Sequence, residues 1–196
     1  MKKKQKVTDY SKYPPHLASV TPVVKLILRY KKRGTVLDLG SGGGRHAYFL
    51  AKHGFTVTVL DKNQGMLARL KRAAKQEIIN LIYQRADIAK PHFTKKYDVI
   101  VAAVSLHFLK PAEISRAIVS MKAHTKRGGL NAITVHTMKN KKTSTKPYRF
   151  KKSELRNYYT DWKIHHYREL WGDPFRLKPG ARFIRRHRAE LIAEKQ

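Results

Sequence analysis

Acidic residues and glycines at the end of an apolar segment are the part of this sequence best suited to chemistry. Asp38 stands two residues before Gly40, within the stretch TVLDLGSGGGR at residues 35–45. Glycines let a backbone turn sharply and approach a ligand closely, because no Cβ intervenes. The helix predicted to follow, at residues 45–53, would point free N–H groups toward that ligand. The succession of short buried strand, glycine turn and helix predicts the start of a Rossmann-like βαβ unit.

The spacing of the glycines narrows the class of ligand. The dinucleotide fingerprint needs a third glycine at the place that Arg45 occupies, and no GxxxxGK[ST] phosphate loop is present. An acidic side chain at the strand end suits a cationic ligand better than a pyrophosphate. The segment D-x-G-x-G-x-G at residues 38–44 resembles motif I of the class I S-adenosylmethionine (SAM) methyltransferases. This resemblance implies that SAM contacts Asp38, Gly40, Gly42 and Arg45.

Two further acids follow the next predicted strands. Asp61 comes directly after the strand 55–60, where an acid is placed to accept hydrogen bonds from ribose hydroxyls. The alternative is that Asp61 caps the helix that follows it. Asp87 comes after the third strand, 81–85, and the methyltransferase resemblance implies that it faces the adenine amino group while its neighbour Ile88 packs on the ring. The alternative for Asp87 is an ordinary loop acid.

The most apolar segment predicts a central strand. Residues 97–104 are almost wholly apolar, as expected of a parallel strand that is covered on both faces, and Ala103 at its end is a cofactor-binding candidate. His107 follows at the carboxyl end of this strand, where ligands bind in open α/β sheets. It is a candidate for orienting SAM or the substrate, and the alternative is a packed structural histidine. The segment 105–109 is not the Asn/Asp-Pro-Pro-aromatic motif of enzymes that methylate base amino groups, which argues against that chemistry.

The order of the predicted elements indicates the fold class. Strands and helices alternate as far as a fifth strand at 130–135, which predicts a mainly parallel sheet with helices on both faces. Two final strands, 162–170 and 182–193, have no long helix between them and predict an antiparallel hairpin at the sheet edge. We expect a single domain over residues 1–196 with a seven-stranded, Rossmann-like class I methyltransferase fold. Residues 1–15 are predicted to form a basic, partly flexible N-terminal arm.

When the C-terminal half of the sequence is included, the resemblance narrows to one group of methyltransferases. The segments that carry it are VLDLGSGGGR, DKN at 61–63, YDVIVAAVSLHFL, KRGGLNAITV and FKKSELRNYYTDW. Together they resemble the TehB-like tellurite-resistance methyltransferases, and the segment at 150–162 is the most discriminating because general methyltransferases do not share it. The resemblance implies a SAM cofactor with Lys62 among its contacts, and a small, anionic or soft methyl acceptor such as a tellurite- or selenite-type oxyanion.

The sequence departs from this family in its final loop. The family presents a His-Arg pair there and a further arginine near the substrate, whereas this chain has Phe175 and Arg176 at the pair. Arg182 is the candidate for the later arginine, with a small shift in spacing. The resemblance therefore implies that Arg176 and Arg182 hold the anionic substrate. His107 is a further catalytic candidate because of its position at a strand end. The basic segment 136–152 is either a substrate loop or a solvated insertion.

The amino-acid composition limits the classes of protein to which this chain can belong. The 196 residues are 41% hydrophobic, and no apolar run approaches the ~18 residues that a membrane-spanning helix needs. The first ten residues, MKKKQKVTDY, lack the apolar segment of a signal peptide. The absence of cysteine excludes disulfides and thiolate metal sites. We expect a cytoplasmic protein that contacts no membrane and uses no metal.

The net charge leaves two further functions open. The 43 Lys and Arg against 13 Asp and Glu give +30, a charge that attracts polyanions and anionic substrates. These residues are spread over the whole chain, whereas a dedicated nucleic-acid surface concentrates them. Nonspecific contact with nucleic acid is therefore compatible with the sequence. One alternative is an RNA or protein methyltransferase that docks through its basic surface, and the other is a SAM-responsive nucleic-acid binder without catalysis.

Overall fold

Strands and helices of a layered α/β fold make up the computed structural model, which describes residues 8–9, 19–139, 148–176 and 182–196, with the backbone alone at 8–9 and 175–176. The strands are β1 Thr8–Asp9, β2 Gly34–Leu39, β3 Phe55–Asp61, β4 Leu81–Arg85, β5 Tyr97–Ala103, β6 Thr125–His136, β7 Lys163–Trp171, β8 Phe175–Arg176 and β9 His187–Glu194. The helices are α1 Pro22–Tyr30, α2 Arg45–Lys52, α3 Gln64–Gln76, α4 Pro111–Ala123 and α5 Glu154–Asn157, with a short 3₁₀ helix at Leu106–Phe108.

Seven of the described strands form one sheet in the order β4-β3-β2-β5-β6-β9-β7. Neighbours from β4 to β6 run parallel, and β9 runs antiparallel to both β6 and β7. The carboxyl ends of the parallel strands therefore lie at one end of the sheet, and the start of β9 joins them there. We call this the carboxyl end of the sheet. The topology confirms the predicted fold class, including the antiparallel C-terminal strands.

The side chains of β5 alternate between two apolar layers. Val99 and Val101 belong to a cluster with residues of α1, α2 and α3 on one face of the sheet. Ile100 and Ala102 belong to a second cluster, with residues of α4 and α5, on the other face. All four side chains are fully buried, which explains why this segment is apolar at nearly every position.

The helices begin where the sequence offers a favourable first residue. Pro22 and Pro111 open α1 and α4, where the missing N–H and the fixed φ of proline cost nothing. The buried face of α1, which includes Val24 and Ile27, packs on the sheet. Within the described ranges, no helix combines the length and the apolar content that crossing a membrane requires.

Two strands begin far from the predicted residue. β6 begins at Thr125 instead of residue 130, because Thr125 already pairs with Tyr97 ahead of an irregularity in the register. β9 begins at His187 instead of residue 182, because its partner β6 ends at His136, which pairs with Arg188. Arg182 therefore lies outside the strand.

Part of the predicted N-terminal arm is a strand. Thr8–Asp9 pairs in parallel with Phe175–Arg176, the segment that carries the predicted substrate arginine. The remaining positions of the arm, 1–7 and 10–15, lie outside the described residues.

Candidate active site

The glycine turn between β2 and α2 has one open position at the carboxyl end of the sheet. Gly40, Gly42 and Gly44 have φ values of +68°, +52° and +79°, which residues with a Cβ rarely adopt. A Cβ at Gly40 would lie 2.7 Å from Ser105 Cβ, and one at Gly44 would overlap the Leu70 side chain. A Cβ at Gly42 would meet nothing within 4 Å. Packing therefore requires glycine at 40 and 44, whereas Gly42 borders space into which a ligand can approach.

Asp38 lies beneath this turn with one carboxylate oxygen unused. The side chain is 1% exposed, and Oδ2 has no hydrogen-bond partner among the described residues. The carboxylate accepts a hydrogen bond from the N–H of Ala47 in the first turn of α2. Burial raises the pKa of Asp38 to about 7, although the Ala47 hydrogen bond and the charge of Arg45 act in the opposite direction. A cation beside Oδ2 would stabilise the carboxylate, so the arrangement fits the α-amino group of SAM.

Asp61 connects the end of β3 to the glycine turn. Its Oδ2 accepts a 2.8 Å hydrogen bond from the Gly42 N–H, and its Oδ1 accepts one of 2.8 Å from the Asn63 N–H. The cap of α3 is Asn63, whose side chain accepts a hydrogen bond from the Met66 N–H at 3.1 Å. The alternative reading of Asp61 as the helix cap is therefore wrong. Its contact with a ribose remains a prediction, and the lone pairs left on both oxygens permit it.

Lys62 and Asp87 follow the ends of β3 and β4, and we call the region between these ends and the open Gly42 position the candidate cofactor cleft. Asp87 Oδ1 accepts a hydrogen bond from the Ala89 N–H at 3.0 Å, and Oδ2 lies 3.7 Å from Lys62 Nζ. Ile88 is closer to the turn, since its Cδ1 is 3.7 Å from the position of a Cβ on Gly40. The structure thus brings Gly40 and Ile88 together and pairs Lys62 with Asp87 near them. Their contacts with an adenine remain predictions.

Arg45 and His46 connect the turn with the start of α1. Arg45 Nε donates to His46 Nε2 at 3.1 Å. His46 Nε2 is also 3.2 Å from the hydroxyl of Thr21, which precedes α1. His46 is 4% exposed, and burial holds its pKa well below the usual range. The sequence reasoning missed His46, although a histidine directly after a glycine turn is a usable signal. The three residues fix the start of α1 beside the glycine turn.

His107 lies in a group of basic side chains at the carboxyl end of the sheet. It follows β5, which ends at Ala103 with 8% exposure, and its ring centroid is 4.2 Å from that of His136. Burial, then the charges of His136, Arg149 and Arg186, lower the pKa of His107 to about 2. Of these four residues, the sequence reasoning named His107 individually and included His136 and Arg149 only as members of the basic segment 136–152, whereas it missed Arg186. His136 was detectable, because it ends a parallel strand at the end of the sheet where ligands bind.

The two arginines predicted from the final loop, Arg176 and Arg182, are not among the described side chains of this group. The side chain of Arg176 lies outside the described part of the chain, although its backbone belongs to β8. Arg182 is exposed and precedes β9. Arg186, four positions later, is the arginine whose charge acts on His107 and His136. The substrate role of Arg176 and Arg182 remains a prediction.

The strand order, the glycine turn and the acids at successive strand ends define the fold of the class I SAM-dependent methyltransferases. The crystal structure of TehB from Haemophilus influenzae has this fold, with a TM-score of 0.83 and 28% identity over 90% of this chain and 63% of that one. A magnesium protoporphyrin IX methyltransferase from Synechocystis, solved with bound S-adenosylhomocysteine (SAH), has a TM-score of 0.69 at 18% identity, over 89% and 80% of the two chains. Because the identity to this second structure is only 18%, the similarity shows the fold alone.

The chain belongs to the TehB family. The family described as tellurite resistance protein TehB matches residues 2–188, which confirms the resemblance seen in the sequence. A probable SAM-dependent methyltransferase TehB from Haemophilus influenzae is 31% identical over 163 residues, which make up 82% of this chain and 57% of the relative. The chain thus spans little more than half the length of the curated relative that it matches.

Proposed function

We propose that this chain transfers a methyl group from SAM to a small anionic or soft nucleophile, such as a tellurite- or selenite-type oxyanion. The observation that carries the proposal is the buried Asp38 carboxylate, whose Oδ2 lacks a partner among the described residues, in the strand that leads into the turn with the open Gly42 position. A lone buried carboxylate oxygen is costly unless a cationic group compensates it, and SAM has such a group. Membership of the TehB family supports the oxyanion as acceptor.

Different residues of the cleft would contact different parts of the cofactor. Asp38 would hold the cationic amino group, Asp61 would accept hydrogen bonds from the ribose, and Ile88 would pack on the adenine. When bound, SAM supplies a methyl group on a positively charged sulfur, which a lone pair of the acceptor can attack as the carbon–sulfur bond breaks. The protein's contribution is mainly to position the acceptor in line with that bond.

The acceptor chemistry explains why no strong general base is needed. A tellurite- or selenite-type oxyanion attacks through the lone pair of its chalcogen atom, so a chalcogen–carbon bond forms and no proton leaves the acceptor. Basic side chains at the carboxyl end of the sheet would hold the anion and orient that lone pair. The loss of the family histidine at Phe175 is compatible with this chemistry.

The net charge of +30 favours one second candidate, a methyltransferase that acts on RNA or protein after docking through its basic surface. A SAM-responsive nucleic-acid binder would share that salt-dependent affinity and lack turnover. We also propose a cytoplasmic location for this chain. The absence of cysteine agrees with that location.

A competition among acceptors tests the proposal. The full chain is incubated with SAM that carries an isotopically labelled methyl group, together with selenite, tellurite, bulk RNA and a protein extract. Mass spectrometry then locates the label. We expect it in a small methylated anion. Label in RNA or protein instead would favour the second candidate, and RNA affinity without any label transfer would favour the binder.

A further inference from the structure

A group of basic side chains beside the candidate cofactor cleft contains buried polar atoms that have no hydrogen-bond partner in the described part of the chain. His107 is 0% exposed, and neither of its ring nitrogens has a hydrogen-bond partner among the described residues. The same holds for Nδ1 of His136 and for Nε and Nη1 of Arg149. A buried polar group that is left unpaired is costly. So many unpaired groups in one place indicate a ligand that supplies hydrogen-bond acceptors.

The backbone holds Arg149 against the two histidines. The N–H of Tyr148 donates to the carbonyl of His107 at 2.7 Å, and the N–H of Phe150 donates to the carbonyl of His136 at 3.0 Å. Arg149 lies between these two hydrogen bonds, and Phe150 is fully buried in the core. This part of the basic segment is therefore packed on the sheet, so the solvated-insertion alternative does not apply to it.

The charges around the two rings are of one sign. His107 is influenced by His136, Arg149 and Arg186, and His136 is influenced by the same two arginines. Burial and these charges lower the pKa of His107 to about 2 and that of His136 to about 4, so both rings are neutral at pH 7. A neutral imidazole keeps one N–H donor. The site thus combines arginine charge with neutral donors, which suits an anion with several oxygens.

Arg188 also lies near His136, but its guanidinium is already engaged by a buried carboxylate. Its Nε donates to Glu190 Oε1 at 2.6 Å, and Glu190 is fully buried. Arg168 Nε donates to the other oxygen of the same carboxylate at 3.1 Å. Arg188 is therefore left out of the proposed site.

We infer that four basic side chains form the subsite for the oxyanion acceptor: His107, His136, Arg149 and Arg186. The inference rests on the proposed methyl transfer to a small anion and says where that anion binds. Arg149 presents its N–H groups in a planar fork that matches two oxygens of one anion. Each imidazole donates to a further oxygen. The subsite adjoins the cofactor cleft, because Ser105, two residues before His107, packs against Gly40.

Calorimetry on the full chain saturated with SAH, titrated with selenite, tests this site. SAH cannot donate a methyl group, so anion binding is measured apart from turnover. We expect Arg149→Gln to weaken selenite binding at least tenfold and to change SAH affinity less than twofold. Arg149→Lys keeps the charge but lacks the planar fork of N–H groups, so its selenite affinity should lie between those of the wild type and Arg149→Gln. The matched control is Arg127→Gln, an exposed arginine at the opposite end of β6, which should change neither affinity.

The SAH affinity also reports whether each variant is folded. Equal selenite affinity in wild type and Arg149→Gln, or no selenite binding by the wild type, would overturn the subsite. A parallel loss of SAH affinity in both Arg149 variants would overturn it too, because the arginine would then serve the cofactor or the fold. If selenite binds as expected but receives no methyl group, the proposed function fails while the subsite stands. If methylation of an anion proceeds unchanged in Arg149→Gln, the subsite fails while the proposed function stands.

Discussion

The Gly42 N–H donates a 2.8 Å hydrogen bond to Asp61 Oδ2, which joins the glycine turn after β2 to the end of β3. The N–H groups of Gly40 and Ser41 donate to the carbonyl of Leu60 at 2.8 and 3.1 Å, so three hydrogen bonds hold the turn on the neighbouring strand. The two parts of the candidate cofactor site are therefore arranged before any ligand binds. Such preorganisation lowers the ordering cost of binding.

Replacing Asp61 should weaken cofactor binding. We expect Asp61→Ala to reduce SAM affinity by about 1.5–3 kcal/mol, because a charged acceptor for hydrogen bonds is removed. Calorimetry measures the effect, with Asp161→Asn as a control: Asp161 is exposed and pairs with Lys122 Nζ instead of any residue of the cleft. Unchanged SAM affinity in Asp61→Ala would show that the ribose assignment is wrong.

Gly42→Ala and Gly128→Ala form a matched pair. Both glycines have positive φ, +52° and +70°, and a Cβ at either would meet nothing within 4 Å. Each substitution should therefore lower the free energy of unfolding by a similar amount, about 1–2 kcal/mol, from backbone strain alone. Only Gly42→Ala should also weaken SAM binding, by tenfold or more, because its methyl group occupies the approach to the turn. Thermal unfolding and calorimetry measure the two effects, and equal SAM affinity in both variants would place the cofactor elsewhere.

The pH dependence of SAM binding should follow Asp38. Burial raises its pKa to about 7 in the free protein, and only the ionised carboxylate attracts the cationic amino group. Affinity should therefore fall as the pH drops below 7, by more than about tenfold between pH 7.5 and 5.5. Asp38→Asn should bind weakly with a much flatter profile. If the wild-type affinity for SAM were constant across this pH range, Asp38 would not be a contact of the cofactor.

The same residue should lower the stability of the free protein. The pKa of Asp38 is higher in the folded state, about 7, than its ordinary value of 3.8, so the folded protein binds more protons between these two values. The free energy of unfolding should then decrease as the pH rises from about 4 to about 7 and stay low above it. Asp38→Asn removes this penalty and should stabilise the free protein at pH 8 by about 1–4 kcal/mol. Denaturant unfolding without SAM measures it, and a variant less stable than wild type at pH 8 would contradict the argument.

Residue types alone were sufficient for the sheet and the glycine turn. β4 lies at Leu81–Arg85 as predicted, directly after Asn80, which separates it from the preceding helical segment. The acids at strand ends could be located because parallel strands bring their carboxyl ends together. In β5, burial on both faces made an apolar segment that could be recognised without any partner strand.

The basic subsite could not be predicted in the same way. Arg149 reaches it because its neighbours donate hydrogen bonds to His107 in the 3₁₀ helix and to His136 at the end of β6, and Arg186 reaches it because β9 runs antiparallel and starts at that end of the sheet. Neither placement leaves a pattern in a chain with 43 basic residues. Arg182 was chosen by family spacing, and the true start of β9 leaves it exposed ahead of the strand.

The most direct test of the account is the initial rate at which labelled methyl groups pass from SAM to selenite, measured together with the formation of SAH. The account predicts that the wild-type chain and Gly128→Ala form methylated selenium anion and SAH in equal amounts, and that Gly42→Ala forms both at least tenfold more slowly at limiting SAM. Formation of SAH without a methylated anion, or equal rates in the two glycine variants, would contradict it.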